Sequence, residues 1–562
     1  MCIRDRVKQI DRALAQRFGK KENVILWHIS NEFGGNFKDS TCHCEKCQKK
    51  FREWLKNKYG TLDKLNASWW TGFWSHKYTD WDQIHSPSPQ GECLTTALTL
   101  DWKRFSSEQI TDFCKMEADA LREFSDLPTT TNMMGFFKGV DYNTLKNAVD
   151  IISWDNYPFW HERKDEVPEA VYTSAGNALM RSLKREPFLL MESTPSSVSW
   201  RSHNPLKRPG MHMLSSMQAV AHGADSVQYF QWRKSRGGYE KFHGAVVDHK
   251  NGSDTRTFRE VTEVGKRLEH LSGGIKTFLN RAKAAIVFDW ENWWAVEDTS
   301  GPRQDLDYVK CVTDHYRAFW ECGLDVDFVS MDDDFSGYRL LAAPLNYMYK
   351  KGYSEKVRAF VEAGGTYVTT YFSGIVNETD LCFIGRHPLE DVLGVVSEEM
   401  DAPSKEFENC FDYNGKEYPA YTMCDIVHAK AKTEIYSVYK KDFYKGCPVV
   451  TENAYGSGRA YYLSAESDQR FLSAFYKDVF IKAGLLKEAS SADRILKRLP
   501  HGVTAAKRED ETGRKGLVFV MNFNDRQVRL EGIGKQIDAE SGEVYENVLE
   551  MAPFSCTILK LK

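Results

Sequence analysis

Apolar residues along the first 275 positions fall into two alternating patterns. Short apolar or β-branched runs occupy 23–30, 128–134, 150–156, 187–191 and 224–231, the length and composition of strands covered on both faces. Amphipathic stretches with the helical period lie between and after them, at 47–59, 101–124, 169–184, 211–222 and 258–271. Val7, Ile10, Leu14 and Phe18 form a further stripe, so the chain reads as starting within a helix. This alternation predicts a parallel α/β domain. Its strands close in polar or aromatic residues: Asn31-Glu32, Asn132, Asp155-Asn156-Tyr157, Glu192 and Gln231-Trp232. Side chains at successive strand C-termini are how a (β/α)8 barrel builds a site. Five such strands, preceded by a helix, lead to the expectation of a TIM barrel lacking its first three β/α units.

The pattern changes near Gly273-Gly274. Strand-like 284–289, helical 307–322, strand-like 325–329 and 340–345, helical 353–363 and strand-like 366–370 describe a second α/β region. From about residue 495 short strands dominate, at 516–522, 527–530 and 556–561. The expected organisation is a catalytic barrel domain at 1–278, a flavodoxin- or amidotransferase-like α/β domain at 279–488 and a small C-terminal β-sandwich at 489–562. An amidotransferase needs a cysteine at a strand-to-helix elbow. Cys382 lies in DLCFIGR without flanking glycines, and no His-x-Glu pair follows, so the middle domain reads as non-catalytic.

Composition narrows the classes. A length of 562 residues suits three or four domains. Lys+Arg 75 against Asp+Glu 79 leaves a net charge of −4, which argues against a nucleic-acid binder. No apolar run reaches the roughly 18–20 residues of a membrane span. All fifteen tryptophans lie at or before Trp320, which points to the front half as the place for a ligand. Indoles are ordinary core filler, but they also stack on the apolar face of a pyranose. The thirteen cysteines are scattered except for Cys42-His43-Cys44-x-x-Cys47. In a chain this long, reduced thiols and one metal site fit better than a disulfide framework, and they suit a cytoplasmic location. Three thiols so close can reach one tetrahedral ion, with clustered free thiols as the plain alternative. The basic helix that follows, with Lys49, Lys50, Arg52, Lys56 and Lys58, reads as a solvated face rather than a nucleic-acid knuckle. Trp69, Trp70, Trp74, Tyr78 and Trp81 are either core or a wall of a sugar site. The opening MCIRDR is neither a signal peptide nor a natural domain start, and it resembles translated adapter sequence at the end of a metagenomic assembly.

Two motifs carry chemistry. In WHISNEFGG a strand delivers Asn31-Glu32 to its end and glycines then permit a tight exit; in LLMES an apolar strand stops at Glu192. Each alone is also what a capping pair or an ion-paired carboxylate looks like. Together they place two glutamates at the ends of two parallel strands. If 23–32 is barrel strand four, Glu192 ends strand seven, across the mouth, where two carboxylates flank a glycosidic bond.

These pieces, with the Cys cluster, SWDNYP at 153–158, LLMES…W at 189–200 and the stretch 223–249, resemble the glycoside hydrolase family 42 β-galactosidases over essentially the whole chain. The resemblance implies a retaining enzyme that removes terminal β-D-galactosyl residues. It implies Glu32 as acid/base, Glu192 as nucleophile, Asn31 on the sugar 2-hydroxyl, Tyr157 beside the nucleophile, Trp200 as a sugar platform, and Glu240 and His243 on the outer hydroxyls. It implies a structural zinc on Cys42, Cys44 and Cys47, with a fourth cysteine from upstream; Cys2 is roughly placed for it and His43 is a weaker substitute. It implies a homotrimer built by the middle domain. An arginine that the family supplies from strand three has no counterpart here, and the 562-residue chain alone is expected to be inactive or poorly folded. A related β-glycosidase, such as an α-L-arabinopyranosidase, and a non-catalytic sugar-binding or scaffold protein are the rival readings.

Overall fold

The computed structural model describes residues 3–35, 41–87, 94–275, 278–486 and 499–561. Five parallel strands form the first sheet in chain order: β1 (Trp27–His28), β2 (Thr129–Met133), β3 (Ile151–Asp155), β4 (Phe188–Glu192) and β5 (Ala224–Val227). The helices are α1 (Ile3–Phe18), α2 (Glu45–Tyr59), α3 (Leu62–Ser68), α4 (Thr96–Arg122), α5 (Tyr142–Leu145), α6 (Val167–Lys184), α7 (Met211–Ala221) and α8 (Arg256–Ile275). β2 is wholly buried although it reads TTTNM. The Thr130 hydroxyl is absorbed locally, its Oγ1 lying 2.8 Å from both Ile151 O and Ser153 Oγ, and Ser153 Oγ donates to Thr131 O at 2.9 Å. A polar strand is tolerated inside because most of its donors are paired, Thr131 Oγ1 being the buried hydroxyl left without a partner.

One strand is shorter than its sequence suggests. The run 23–30 contributes only Trp27–His28 to the sheet, because Val24 N closes a turn on Lys21 O (3.0 Å) and pairing begins where Trp27 N reaches Pro128 O.

The middle region holds a parallel sheet ordered Val326–Val329, Ala284–Val287, Leu340–Ala343, Thr366–Thr370, Gly458–Leu463. Antiparallel strands Pro448–Tyr455 and Glu434–Val438 extend it. A helix at Trp290–Asp298 was not anticipated. Asp289 caps it, its side chain accepting from Glu291 N at 3.0 Å. Glu291 then meets Arg104 of α4, which also binds Asp101, itself paired with Lys58 of α2. Lys350 reaches Asp289 at 2.9 Å and Glu291 at 3.0 Å. This buried ion network joins the first region to the second.

At the C-terminus, Val503–Glu509, Gly516–Asn522 and Ser555–Leu561 form an antiparallel sheet, and Val528–Ile537 pairs with Val544–Met551. Alternation sorts the faces. Val518 and Val520 pack with Leu530, Ile533 and Leu549, whereas Phe519, Met521 and Ile558 face the main core. Arg508 is buried, donating to Val220 O and Ala224 O and pairing with Asp225. The C-terminal sheet therefore grips the N-terminal end of β5, opposite the end that carries the candidate site. No helix among the described residues is long and apolar enough to cross a membrane.

Candidate active site

The C-terminal ends of β1 to β5 surround one cavity of about 690 Å³, within the range of small-ligand sites. Asn31, Glu32, Tyr157, Glu192, Trp200, Glu240 and His243 all line it. The seven residues named from sequence thus converge on one place.

The β1 exit is unusual backbone. Ser30 and Glu32 adopt positive φ, 46° and 39°, where a side chain is disfavoured. Two contacts hold them. Ser30 Oγ donates to the Glu117 carboxylate of α4 at 2.9 Å, and Glu32 N donates to Asn132 Oδ1 at 3.0 Å. Gly35 N closes the turn on Glu32 O, and a Cβ at Gly35 would lie 2.8 Å from the Met134 side chain. A side chain at Gly35 would therefore have to displace the flexible end of Met134.

Glu192 and Asp155 are the last residues of adjacent strands and stand opposite one another in register. Carboxylate oxygens of Glu32, Asp155 and Glu192 lie within 4.8 Å of one another. Tyr157 OH donates to Glu192 Oε2 at 2.7 Å. Burial raises the proton affinity of Glu192, the Tyr157 bond opposes it, and the charges of Glu32 and Glu240 add to the rise. Asn132 is the hub: its Nδ2 donates to Asp155 Oδ2 at 2.6 Å and to Asn31 Oδ1 at 2.9 Å.

Aromatic edges shape the pocket. Tyr157 meets Trp200 at 5.7 Å and His243 at 5.6 Å, both edge-on, and His243 also meets Phe230 at 5.0 Å. His243 is 1% exposed, and neither ring nitrogen makes a hydrogen bond of good geometry. Desolvation lowers the proton affinity of this buried imidazole, and a backbone contact with Phe230 opposes the shift. Arg201 clamps the loop after β3, donating to Tyr157 O and Pro158 O with its guanidinium 3.4 Å from the Phe159 ring centre.

Sequence reading named neither Asn132 nor Asp155 as a site residue, and it missed Arg201. The first two were visible only as polar strand ends, and their convergence requires the register. The tryptophan loop was open to two readings, and the structure separates its members. Trp69 is buried in a satellite core with Phe51, Leu55, Leu65 and Trp102, Trp70 and Trp74 are exposed, and none of them lines the cavity. The basic helix is also not simply solvated, since Lys58 binds the buried Asp101.

The sulfurs of Cys42, Cys44 and Cys47 lie within 4.8 Å of one another. Cys44 caps the start of α2, where the Cys47 backbone N–H and the neighbouring thiols lower its proton affinity, while partial burial raises that of Cys47. Three converging sulfurs fit a thiophilic ion. His43 does not complete the set. Its Nδ1 bonds Ser86 Oγ at 2.9 Å, its Nε2 bonds Thr41 Oγ1 at 3.1 Å, and its ring stacks on Trp102. Cys2 lies outside the described residues. Burial and the neighbouring Asp380 raise the proton affinity of the Cys382 thiol.

Comparison with known proteins bears on the whole chain. Residues 1–271 match the glycoside hydrolase family 42 profile described as β-galactosidase, and 282–486 match a β-galactosidase trimerisation domain. β-Galactosidase BglY of Alicyclobacillus acidocaldarius is 46% identical over 93% of this chain and 75% of its own length. β-Galactosidase Pbg of Clostridium perfringens is 43% identical over 100% of this chain and 81% of its own. Among solved structures, the β-galactosidase of Rahnella sp. R3 superposes with a TM-score of 0.93 at 46% identity, over 99% of this chain and 81% of that one. With matches to both regions and identity of this order over nearly the whole chain, the chain belongs to the β-galactosidases of glycoside hydrolase family 42.

Proposed function

We propose that the protein is a retaining β-galactosidase that removes terminal β-D-galactosyl residues by double displacement. One observation carries the mechanism: the carboxylates of Glu32 and Glu192 approach within 4.8 Å in the same cavity. Retaining glycosidases hold their pair at about 5–5.5 Å, and inverting ones leave room for a water at about 6.5–9.5 Å. Glu192 is the nucleophile, held by Tyr157 and Asn132. Glu32 protonates the leaving oxygen and then deprotonates the water that releases the sugar. Asn31 at the rim is assigned to the 2-hydroxyl, Trp200 to the apolar sugar face, and Glu240 and His243 to the outer hydroxyls. The five strands are read as the last five of a (β/α)8 barrel, and the middle sheet as flavodoxin-like.

The test is the anomer first released from an aryl β-galactoside, followed by NMR, with the α-L-arabinopyranoside as a comparison. Turnover is measured in the 562-residue chain and in the same chain joined to the first three β/α units of a relative. The β-anomer first, with turnover lost in Glu192→Ala, is expected. The α-anomer first overturns the mechanism, and full activity of Glu192→Ala overturns the assignment.

Three further assignments rest on other observations. The match of 282–486 to a trimerisation domain supports a homotrimer, checked by light scattering in solution. The converging thiols support a structural zinc, which would stiffen the loop between β1 and α2. Elemental analysis should find one zinc per chain, lost in Cys44→Ser. All cysteines among the described residues are free, which supports a reducing, cytoplasmic setting.

A further inference from the structure

We infer that Asp155 is a carboxylic acid in the working site, that its hydroxyl is donated to Glu32, and that this bond steadies the carboxylate Glu32 becomes when it gives up its proton. The inference rests on Glu32 as the acid/base. Asp155 is 7% exposed. Its Oδ2 accepts from Asn132 Nδ2 at 2.6 Å. Its Oδ1 is fully buried and has no donor in reach, although carboxylate oxygens of Glu32 and Glu192 stand within 4.8 Å. An ionised carboxylate only accepts. Oδ1 would then be a desolvated acceptor facing two more acceptors of like charge, an arrangement with no compensating bond. A proton on Oδ1 resolves it, turning the orphan acceptor into a donor.

The recipient follows from what the neighbours already hold. Glu192 accepts from Tyr157 OH at 2.7 Å and weakly from Asn132 Nδ2 at 3.5 Å. No other side chain among the described residues donates to the Glu32 carboxylate, so Glu32 is where the Asp155 hydroxyl is needed. The groups that face Asp155 are Glu32 from the β1 end, Glu192 from β4, Tyr157 from the loop after β3 and Tyr142 from α5, with His28 reached through Asn132. Burial first, then the charges of Glu192 and Glu32, move Asp155 in the same direction, far above the ordinary carboxylate range.

Asp155 is a positioning residue and keeps its proton throughout. When Glu32 gives its own proton to the leaving oxygen, the Asp155 O–H···O bond becomes charge-assisted and strengthens, stabilising the carboxylate that forms. When Glu32 takes a proton from water in the second step, the same bond weakens again. No net transfer to or from Asp155 occurs.

Two readouts test this. Infrared spectra of the chain at neutral pH should show a carboxylic-acid carbonyl band that Asp155→Asn removes. That measurement needs no turnover, so it stands apart from the acid/base assignment, which an unchanged pH profile in Glu32→Gln would overturn. In the pH profile of kcat/KM, Asp155→Asn replaces one neutral donor by another and should leave the alkaline limb within about 0.3 pH unit. Asp155→Ala removes the donor and should move that limb upward by about half a unit or more. A wild-type spectrum without the band overturns the proposal. So does an alkaline limb that falls by about a unit in Asp155→Asn, the signature of deleting a negative charge beside Glu32.

Discussion

Tyr157→Phe isolates the contact that tunes the nucleophile. The hydroxyl donates to Glu192 Oε2 at 2.7 Å, and it lowers a proton affinity that burial has raised. Phenylalanine keeps the ring that meets Trp200 and His243 edge-on, so the change is confined to one hydrogen bond. A bond to a charged group is worth about 1.5–3 kcal/mol. At about 1.4 kcal/mol per decade, kcat/KM should fall roughly 10- to 150-fold. Losing the bond favours the protonated nucleophile, so the proton affinity of Glu192 rises further. Glu192 must be ionised to attack, and the acid limb of the kcat/KM profile should therefore move to higher pH. The assay is that profile on an aryl β-galactoside, with thermal melting as the folding control. A large loss with an unmoved acid limb would show that Tyr157 acts on the sugar and not on the nucleophile. An unchanged rate would refute the contact altogether.

His243→Phe removes two buried, unsatisfied ring nitrogens. It should raise the melting temperature of the free protein, equivalent to about 1 kcal/mol, while weakening inhibition by galactose about tenfold or more. His222 and His315 are fully buried and pushed from 6.5 down to about 3 by desolvation. Stability they contribute is complete above 6.5 and is lost as pH falls towards 3, so denaturant unfolding at pH 5 should show a deficit of about 4 kcal/mol for the pair relative to pH 7. Glu291→Ala leaves Arg104 buried beside a cavity and should cost about 3–5 kcal/mol by calorimetry, whereas Arg104→Met with Glu291→Leu should recover most of it.

The strands of the first sheet were readable because they are short apolar or β-branched runs, the threonines of β2 included, and because their ends turn polar abruptly. Glu32 and Glu192 could be read for the same reason: each is a charge at the end of such a run. Asp155 and Asn132 look no different from Asn156 in the sequence. Only the register of β2, β3 and β4 shows that they face the two glutamates. Neighbourhood in sequence misled at His43, which sits between two thiols yet turns its ring to Ser86 and Trp102. The helix at Trp290–Asp298 hid because WENWWAV continues the apolar run of the preceding strand, although Asp289 and Glu291 supply a cap and an acidic first turn. The antiparallel strands Glu434–Val438 and Pro448–Tyr455 at the margin of the middle sheet mix exposed and buried positions and carry no clean period.

α4 is a single helix of 27 residues, about 40 Å long. Through Glu117 it fixes the backbone of Ser30, two residues before Glu32, and through Arg104 it is anchored in the middle region. The helix is thus a strut clamped near both ends, one clamp beside the reacting carboxylates and the other in the trimerisation domain. With Glu32 in its proposed role, a stress applied to that domain would be borne by the same rod that aims the acid/base, coupling the precision of proton delivery to the rigidity of the domain joint.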